Sequence, residues 1–76
     1  MIEPGGTIGI LGGGQLGRML AISAAQLGYH VIAFAPEGDA VIAQVCSEYV
    51  SADWHDAAAL KAFADRCDGI TLEFEN

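Results

Sequence analysis

The sequence predicts a small α/β domain of three layers built on a parallel sheet of about four strands. Three observations carry that expectation. Short apolar runs alternate with a segment of helical period: Thr7 to Leu11, Gln15 to Leu27, His30 to Ala35. Such alternation implies a parallel sheet with right-handed crossovers. The first run is nearly all apolar, as expected of a strand covered on both faces. A glycine turn, Gly12-Gly13-Gly14, joins that strand to the first helix. This is the Rossmann-like arrangement, in which a backbone loop approaches a phosphate-bearing ligand.

Each element has its own signal. Met1 to Gly6 reads as a loose N-terminus. In the first helix, Leu16, Met19, Leu20, Ser23, Ala24 and Leu27 recur at three and four residues, which predicts one packing stripe and assigns Met19 to the core. Gly28 follows as a left-handed C-cap. The second strand, His30 to Ala35, is broken by Pro36-Glu37-Gly38-Asp39, and Asp39 would cap a short helix from Ala40 to about Val45. Ser47 to Ser51 is a weaker third strand built on Tyr49 and Val50. Asp53 or Asp56 supplies the N-cap of a helix from Ala57 to Cys67. Its apolar face is Leu60, Phe63, Ala64 and Cys67, and Lys61 and Asp65 lie four apart on an outer face. Asp68-Gly69 is a tight exit, and Ile70 to Phe74 reads as a fourth strand. Four strands are about half of a doubly wound domain, so the chain is expected to be one domain of a longer protein. Its last strand should then offer an open pairing edge.

Composition narrows the function. The chain has 76 residues, enough for one small domain, and its 53% apolar share supports a real core. Ten acidic residues against three basic ones give a net charge of -7, which disfavours nucleic acid and anionic membranes as partners. An anionic ligand would therefore be held by backbone N–H groups, by Arg18, or by residues outside this chain. No stretch approaches the roughly 20 apolar residues of a membrane span, and the N-terminus lacks the basic start of a signal peptide. Cys46 and Cys67 have no metal-ligand spacing. They read as buried, reduced thiols of a cytosolic protein.

Gly12, Gly14 and Gly17 satisfy the G-x-G-x-x-G spacing. A dinucleotide site also needs an acid at the end of the second strand, roughly 20 residues on. Here that strand ends Phe34-Ala35-Pro36, Glu37 lies beyond the proline, and no arginine is near. An NAD(P)-binding module of an oxidoreductase is thus an alternative without its discriminating residue. A P-loop fails outright, because no Gly-Lys-Ser/Thr follows. The glycines also fit a tight strand–helix turn with no ligand. In open parallel sheets, however, ligands sit at the carboxyl ends of the strands. The glycine loop and the segment Glu73-Phe74-Glu75-Asn76 should meet there, with Glu73 beside Gly13 to Leu16. Glu73 would accept hydrogen bonds from a ligand hydroxyl or amine. Alternation puts Glu73 and Glu75 on one side, and solvation of both at the strand end is the competing reading.

Gly-Gly-Gly-Gln-Leu-Gly-Arg-Met, Gly-Tyr-His-Val, Ser-Ala-Asp-Trp-His-Asp and Cys-Asp-Gly-Ile-Thr-Leu-Glu-Phe-Glu-Asn together resemble the N-terminal, pre-ATP-grasp domain of the N5-carboxyaminoimidazole ribonucleotide synthetases, the PurK family of the ATP-grasp superfamily. The likeness runs from about Thr7 to Asn76. The resemblance implies a cytoplasmic, homodimeric ligase of purine biosynthesis. Such an enzyme carboxylates 5-aminoimidazole ribonucleotide with bicarbonate at the expense of ATP, with ATP and Mg bound by parts of the enzyme outside this chain. It implies that this domain forms one wall of the ribonucleotide site and does not use NAD. Carried over by motif, the substrate-binding residues are Gly13, Gly14, Gln15, Leu16, Arg18 and Glu73. Gln15 and Leu16 would lie against the ribonucleotide, Glu73 would accept a hydrogen bond from it, and Arg18 would support the loop or reach an anionic group. Relatives often carry an acid before the proline that follows the second strand; Ala35 stands there in this chain.

Overall fold

The computed structural model describes residues 5–12, 14–36 and 41–72. The element order is β1 (Thr7–Leu11), α1 (Gln15–Gln26), β2 (His30–Ala35), a 3-10 turn (Val41–Gln44), β3 (Glu48–Ser51), α2 (Ala57–Asp65) and β4 (Gly69–Leu72). The four strands form one sheet in the order β3-β2-β1-β4, and every neighbouring pair is parallel. Apolar side chains on both faces of β1 and β2 require cover on both faces, and the sheet has it. Ile10, Val31 and Ala33 pack with Ala21 and Ala24 of α1 and with Ile42 of the 3-10 turn. Ile32 and Phe34 pack with Phe63 of α2 on the opposite face. The expected three-layer, Rossmann-like α/β architecture is present.

The β2 strand is the centre of the core: Val31 to Ala35 are all buried. The Phe34 ring has Trp54 at 5.7 Å and Phe63 at 5.4 Å between centroids, both tilted, a geometry aromatic pairs favour. The α2 helix begins at Asp56, whose carboxylate accepts from the Ala59 N–H at 3.0 Å. Asp53 instead accepts from the His55 N–H at 2.8 Å and shapes the turn before it. Both aspartates of that turn thus accept local backbone N–H groups, and Trp54 covers Phe34.

The packing stripe expected on α1 is wrong in its facing. The buried residues of the helix are Gly17, Ala21 and Ala24, and of the expected stripe only Ala24 is among them. Met19 is 62% exposed, and Leu16, Leu20 and Leu27 are exposed as well. The reason is close approach. A Cβ built on Gly17 would lie 3.2 Å from Ile42 Cδ1 and 3.5 Å from Ile10 Cγ2. The helix thus lies on the sheet through its small residues, and its larger side chains flank the contact. On α2, Ala64 is exposed although it was expected on the apolar face. The helix stops at Asp65, before Cys67, as Arg66 and Cys67 donate to the Phe63 and Ala64 carbonyls at 3.1 Å, the tighter pattern common at helix ends.

Smaller differences lie at the ends of elements. Ser47 lies ahead of β3 because its N–H donates to the Val31 carbonyl at 2.9 Å and its hydroxyl accepts from the Val31 N–H at 3.3 Å. The short helix after β2 is a single 3-10 turn; its expected start at Ala40 and cap at Asp39 lie outside the described residues. α1 ends at Gln26, one residue short of the expected Leu27, and Gly28 has the left-handed φ of 92° expected of its C-cap. β4 is described as Gly69–Leu72, one residue earlier at its start than expected, and its expected extension through Glu73 and Phe74 lies outside the described residues. Cys46 and Cys67 are free and half-buried rather than buried. Cys67 Sγ donates to the Phe63 carbonyl at 3.2 Å, and burial pushes both thiols up from their ordinary range.

Candidate functional site

The glycine turn leaves the carboxyl end of β1. Gly12 is buried, has a φ of 133°, and donates its N–H to the Phe34 carbonyl of β2 at 3.0 Å. That backbone conformation strains any residue with a Cβ, so glycine here is a requirement of the turn. Gly14 is the extended N-cap of α1 and offers no side-chain cap, and the first turn carries no acid. Arg18 N–H donates to the Gly14 carbonyl at 3.0 Å and opens the helix. Helix N-termini have unsatisfied N–H groups and about half a positive charge, which suits an anion.

Of the residues assigned to substrate, Gly14, Gln15, Leu16 and Arg18 are together on this turn. Gln15 and Leu16 are exposed and Arg18 is half-buried. Gly13 and Glu73 lie outside the described residues, as do Glu37 and Glu75. β4 is the neighbour of β1, with Leu72 in register with Leu11, so the last described residue of the fourth strand reaches the same end of the sheet as the glycine turn.

The charges have a simple pattern. Lys61 pairs with Asp65 at 2.8 Å. Arg66 holds Glu48 through both guanidinium nitrogens, with the second contact at 2.7 Å. Arg18 forms no ion pair among the described residues. At the end of β2, Tyr49 and Ser51 donate to the Ala35 and Pro36 carbonyls at 3.5 and 3.4 Å. Neither supplies the acid that binds a dinucleotide ribose. A polar hollow of about 320 Å³ includes Thr7, His30, Ser47, Glu48 and Arg66 in its lining. It lies at the starts of the strands, the end away from ligand sites in open parallel sheets.

A glycine turn at the edge shared by β1 and β4, without a dinucleotide acid among the described residues, is matched by known proteins. Residues 6–76 match the model of the ribonucleotide synthetase preATP-grasp domain. The chain belongs to that family. It is 49% identical, over 75 residues, to the N5-carboxyaminoimidazole ribonucleotide synthase of Brucella melitensis, covering 99% of this chain and 21% of that protein. It is also 49% identical, over its whole length, to the bifunctional purine synthesis protein purC/E of Dictyostelium discoideum, of which it covers 8%. Among solved structures, the Staphylococcus aureus N5-carboxyaminoimidazole synthetase complexed with ADP superposes with a TM-score of 0.93 at 45% identity, covering 99% of this chain and 20% of that one. The preATP-grasp chain thus spans about a fifth of the length of the bacterial synthases it matches. The oxidoreductase alternative gains no support from these relatives.

The described residues contain no helix long and apolar enough to cross a membrane. They also contain no group of three or more His, Cys, Asp or Glu side chains that could hold a metal ion.

Proposed function

We propose that this domain forms one wall of the ribonucleotide site in a cytoplasmic, homodimeric N5-carboxyaminoimidazole ribonucleotide synthase. The whole enzyme would carboxylate the exocyclic amine of 5-aminoimidazole ribonucleotide with bicarbonate and hydrolyse ATP. The observation that carries the reading is the uncapped start of α1 at the carboxyl end of β1, with Arg18 in its first turns and no ion-pair partner among the described residues. An anionic or polar ribonucleotide fits this corner electrostatically, because donors fixed by the fold need no reorganisation when the substrate binds. Likeness to synthases of that name supports the substrate class.

In this reading the Gly13 and Gly14 backbone and the Gln15 and Leu16 side chains lie against the ribonucleotide. Arg18 faces an anionic group, and Glu73 accepts a hydrogen bond from a substrate hydroxyl or amine. ATP, which supplies the phosphoryl group that activates bicarbonate, and Mg are assigned to residues outside this chain. The domain itself binds and orients.

The test is steady-state kinetics of the full-length enzyme. Arg18→Gln and Glu73→Ala should each raise the ribonucleotide KM by roughly 10- to 100-fold, the worth of a hydrogen bond to a charged group, with the ATP KM little changed. A ribonucleotide KM unchanged in both variants sinks the assignment.

A further inference from the structure

The start of α1 rests on a side chain that lies outside the glycine turn. Gly17 stands between Leu16 and Arg18 and is buried. It is helical, with no positive φ, so alanine would be the better helix former there. Close approach is what glycine serves at this position. A Cβ would lie 3.2 Å from Ile42 Cδ1, 3.5 Å from Ile10 Cγ2 and 3.6 Å from the Gly12 carbonyl oxygen. Only the contact with Ile42 is tighter than ordinary packing. Ile10 and Gly12 belong to the glycine turn and the strand before it; Ile42 comes from the β2–β3 connection.

Ile42 cannot step aside freely. It is fully buried, as is Ile10. Its carbonyl accepts the Val45 and Cys46 N–H groups at 3.1 and 3.2 Å, which closes the 3-10 turn. Ser47 then ties the end of that turn to Val31 of β2: its N–H donates to the Val31 carbonyl at 2.9 Å, and its hydroxyl accepts from the Val31 N–H at 3.3 Å. The turn is fastened to the central strand, and Ile42 carries that fixed position to α1 beside Arg18. Donors at a helix start act only within a narrow range of distance and angle, so the place where α1 stands sets how well they meet a substrate.

We propose that Ile42 is a positioning residue for the ribonucleotide: its Cδ1 against Gly17 sets how closely the first turns of α1 approach the glycine turn, and so where Gln15, Leu16 and Arg18 meet the substrate. This rests on the ribonucleotide reading of that corner.

Steady-state kinetics of the full-length enzyme tests it by moving one methyl across the contact. Gly17→Ala adds a methyl on the helix side, and Ile42→Val removes Cδ1 on the other. Gly17→Ala should raise the ribonucleotide KM by roughly 5- to 10-fold, below the ~100-fold of a full ångström of misplacement, with the ATP KM within about two-fold of the parent. Ile42→Val should raise the ribonucleotide KM by roughly 2- to 5-fold. The double variant conserves the volume of the contact and should return to within about two-fold of the parent. Ile32→Val, the same deletion on the α2 face, also lowers stability but should leave the ribonucleotide KM unchanged. A double variant in which the two losses multiply, or an Ile32→Val enzyme as impaired as Ile42→Val, overturns the proposal. If Gly17→Ala does not fold, the comparison of Ile42→Val with Ile32→Val decides, and equal KM values overturn it.

Hydrogen exchange of the substrate-free enzyme separates this failure from failure of the site reading. Amides of residues 18–21 should exchange at least about three-fold faster in Gly17→Ala and recover in the double variant. Exchange unmoved or slowed by Gly17→Ala overturns the contact as the determinant of where α1 stands. Exchange that speeds up and recovers as expected, with every ribonucleotide KM unchanged, refutes the site reading and the positioning role with it.

Discussion

Gly9 is the position where the smallest change should do the most measurable damage. It lies in β1 under α2, and a Cβ there would come within 2.5 Å of Cys67 Sγ and 2.7 Å of Phe63 Cζ. Neither group can step aside freely. Cys67 follows the last turn of α2, and Phe63 is 2% exposed against Phe34. Overpacking of this kind costs about 1–3 kcal/mol. Replacing glycine by alanine recovers about 0.4–1 kcal/mol by restricting the unfolded chain. Gly9→Ala should therefore destabilise by about 1–2 kcal/mol, and at this size the midpoint of thermal unfolding should fall by roughly 5–15 °C. Circular dichroism with urea titration reads both quantities. Adding Cys67→Ala removes the nearest atom and should restore part of the loss, with a coupling of about 1 kcal/mol in a double-mutant cycle. Phe63 keeps the rescue incomplete. A Gly9→Ala protein as stable as the parent, or a cycle with no coupling, would refute the close approach of α2 to β1.

Three further outcomes follow from the same structure. Asp56→Ala removes the α2 cap, which accepts from the Ala59 N–H, and should cost about 1 kcal/mol in urea unfolding, whereas Asp53→Ala should cost less. The Arg66 guanidinium holds the Glu48 carboxyl below the usual glutamate range. A depressed folded pKa adds stability above the unfolded value, and that stability is lost as pH falls through the folded one. Glu48→Gln should thus flatten the acid side of the stability–pH curve below about pH 4.5, the ordinary glutamate value, with little change in the slope near neutrality. Met19→Gln should leave stability within about 0.5 kcal/mol of the parent, as an exposed position does. A loss of several kcal/mol would return Met19 to the core.

Much of the fold was legible because the chain punctuates itself. β2 falls where the apolar run stands between Tyr29 and Pro36, and Gly28 ends α1 with the positive φ that its position required. The Lys61–Asp65 pair follows from helical spacing alone. The candidate site was legible in part. Its glycine turn and Arg18 are at the expected carboxyl end of β1; that β4 lies next to β1 came only from the structure.

Tertiary structure decided what periodicity could not. A recurrence of three and four residues defines a face of a helix but not which face meets the sheet. On α1 the larger Leu and Met side chains gave the stronger apolar signal, while close approach selected Gly17, Ala21 and Ala24. Between Asp53 and Asp56, the sequence offered two caps, and the one three residues before Ala59 took its N–H. The partner of Arg66 is Glu48 on β3, 18 residues away, a pair visible only once α2 returns across the sheet. The sequence by itself determined the elements, their order and the glycine turn, because those depend on backbone constraints and local spacing. Which faces are buried, which charges pair and which edge stays open depend on how closely the layers approach, and only the packed structure decides that.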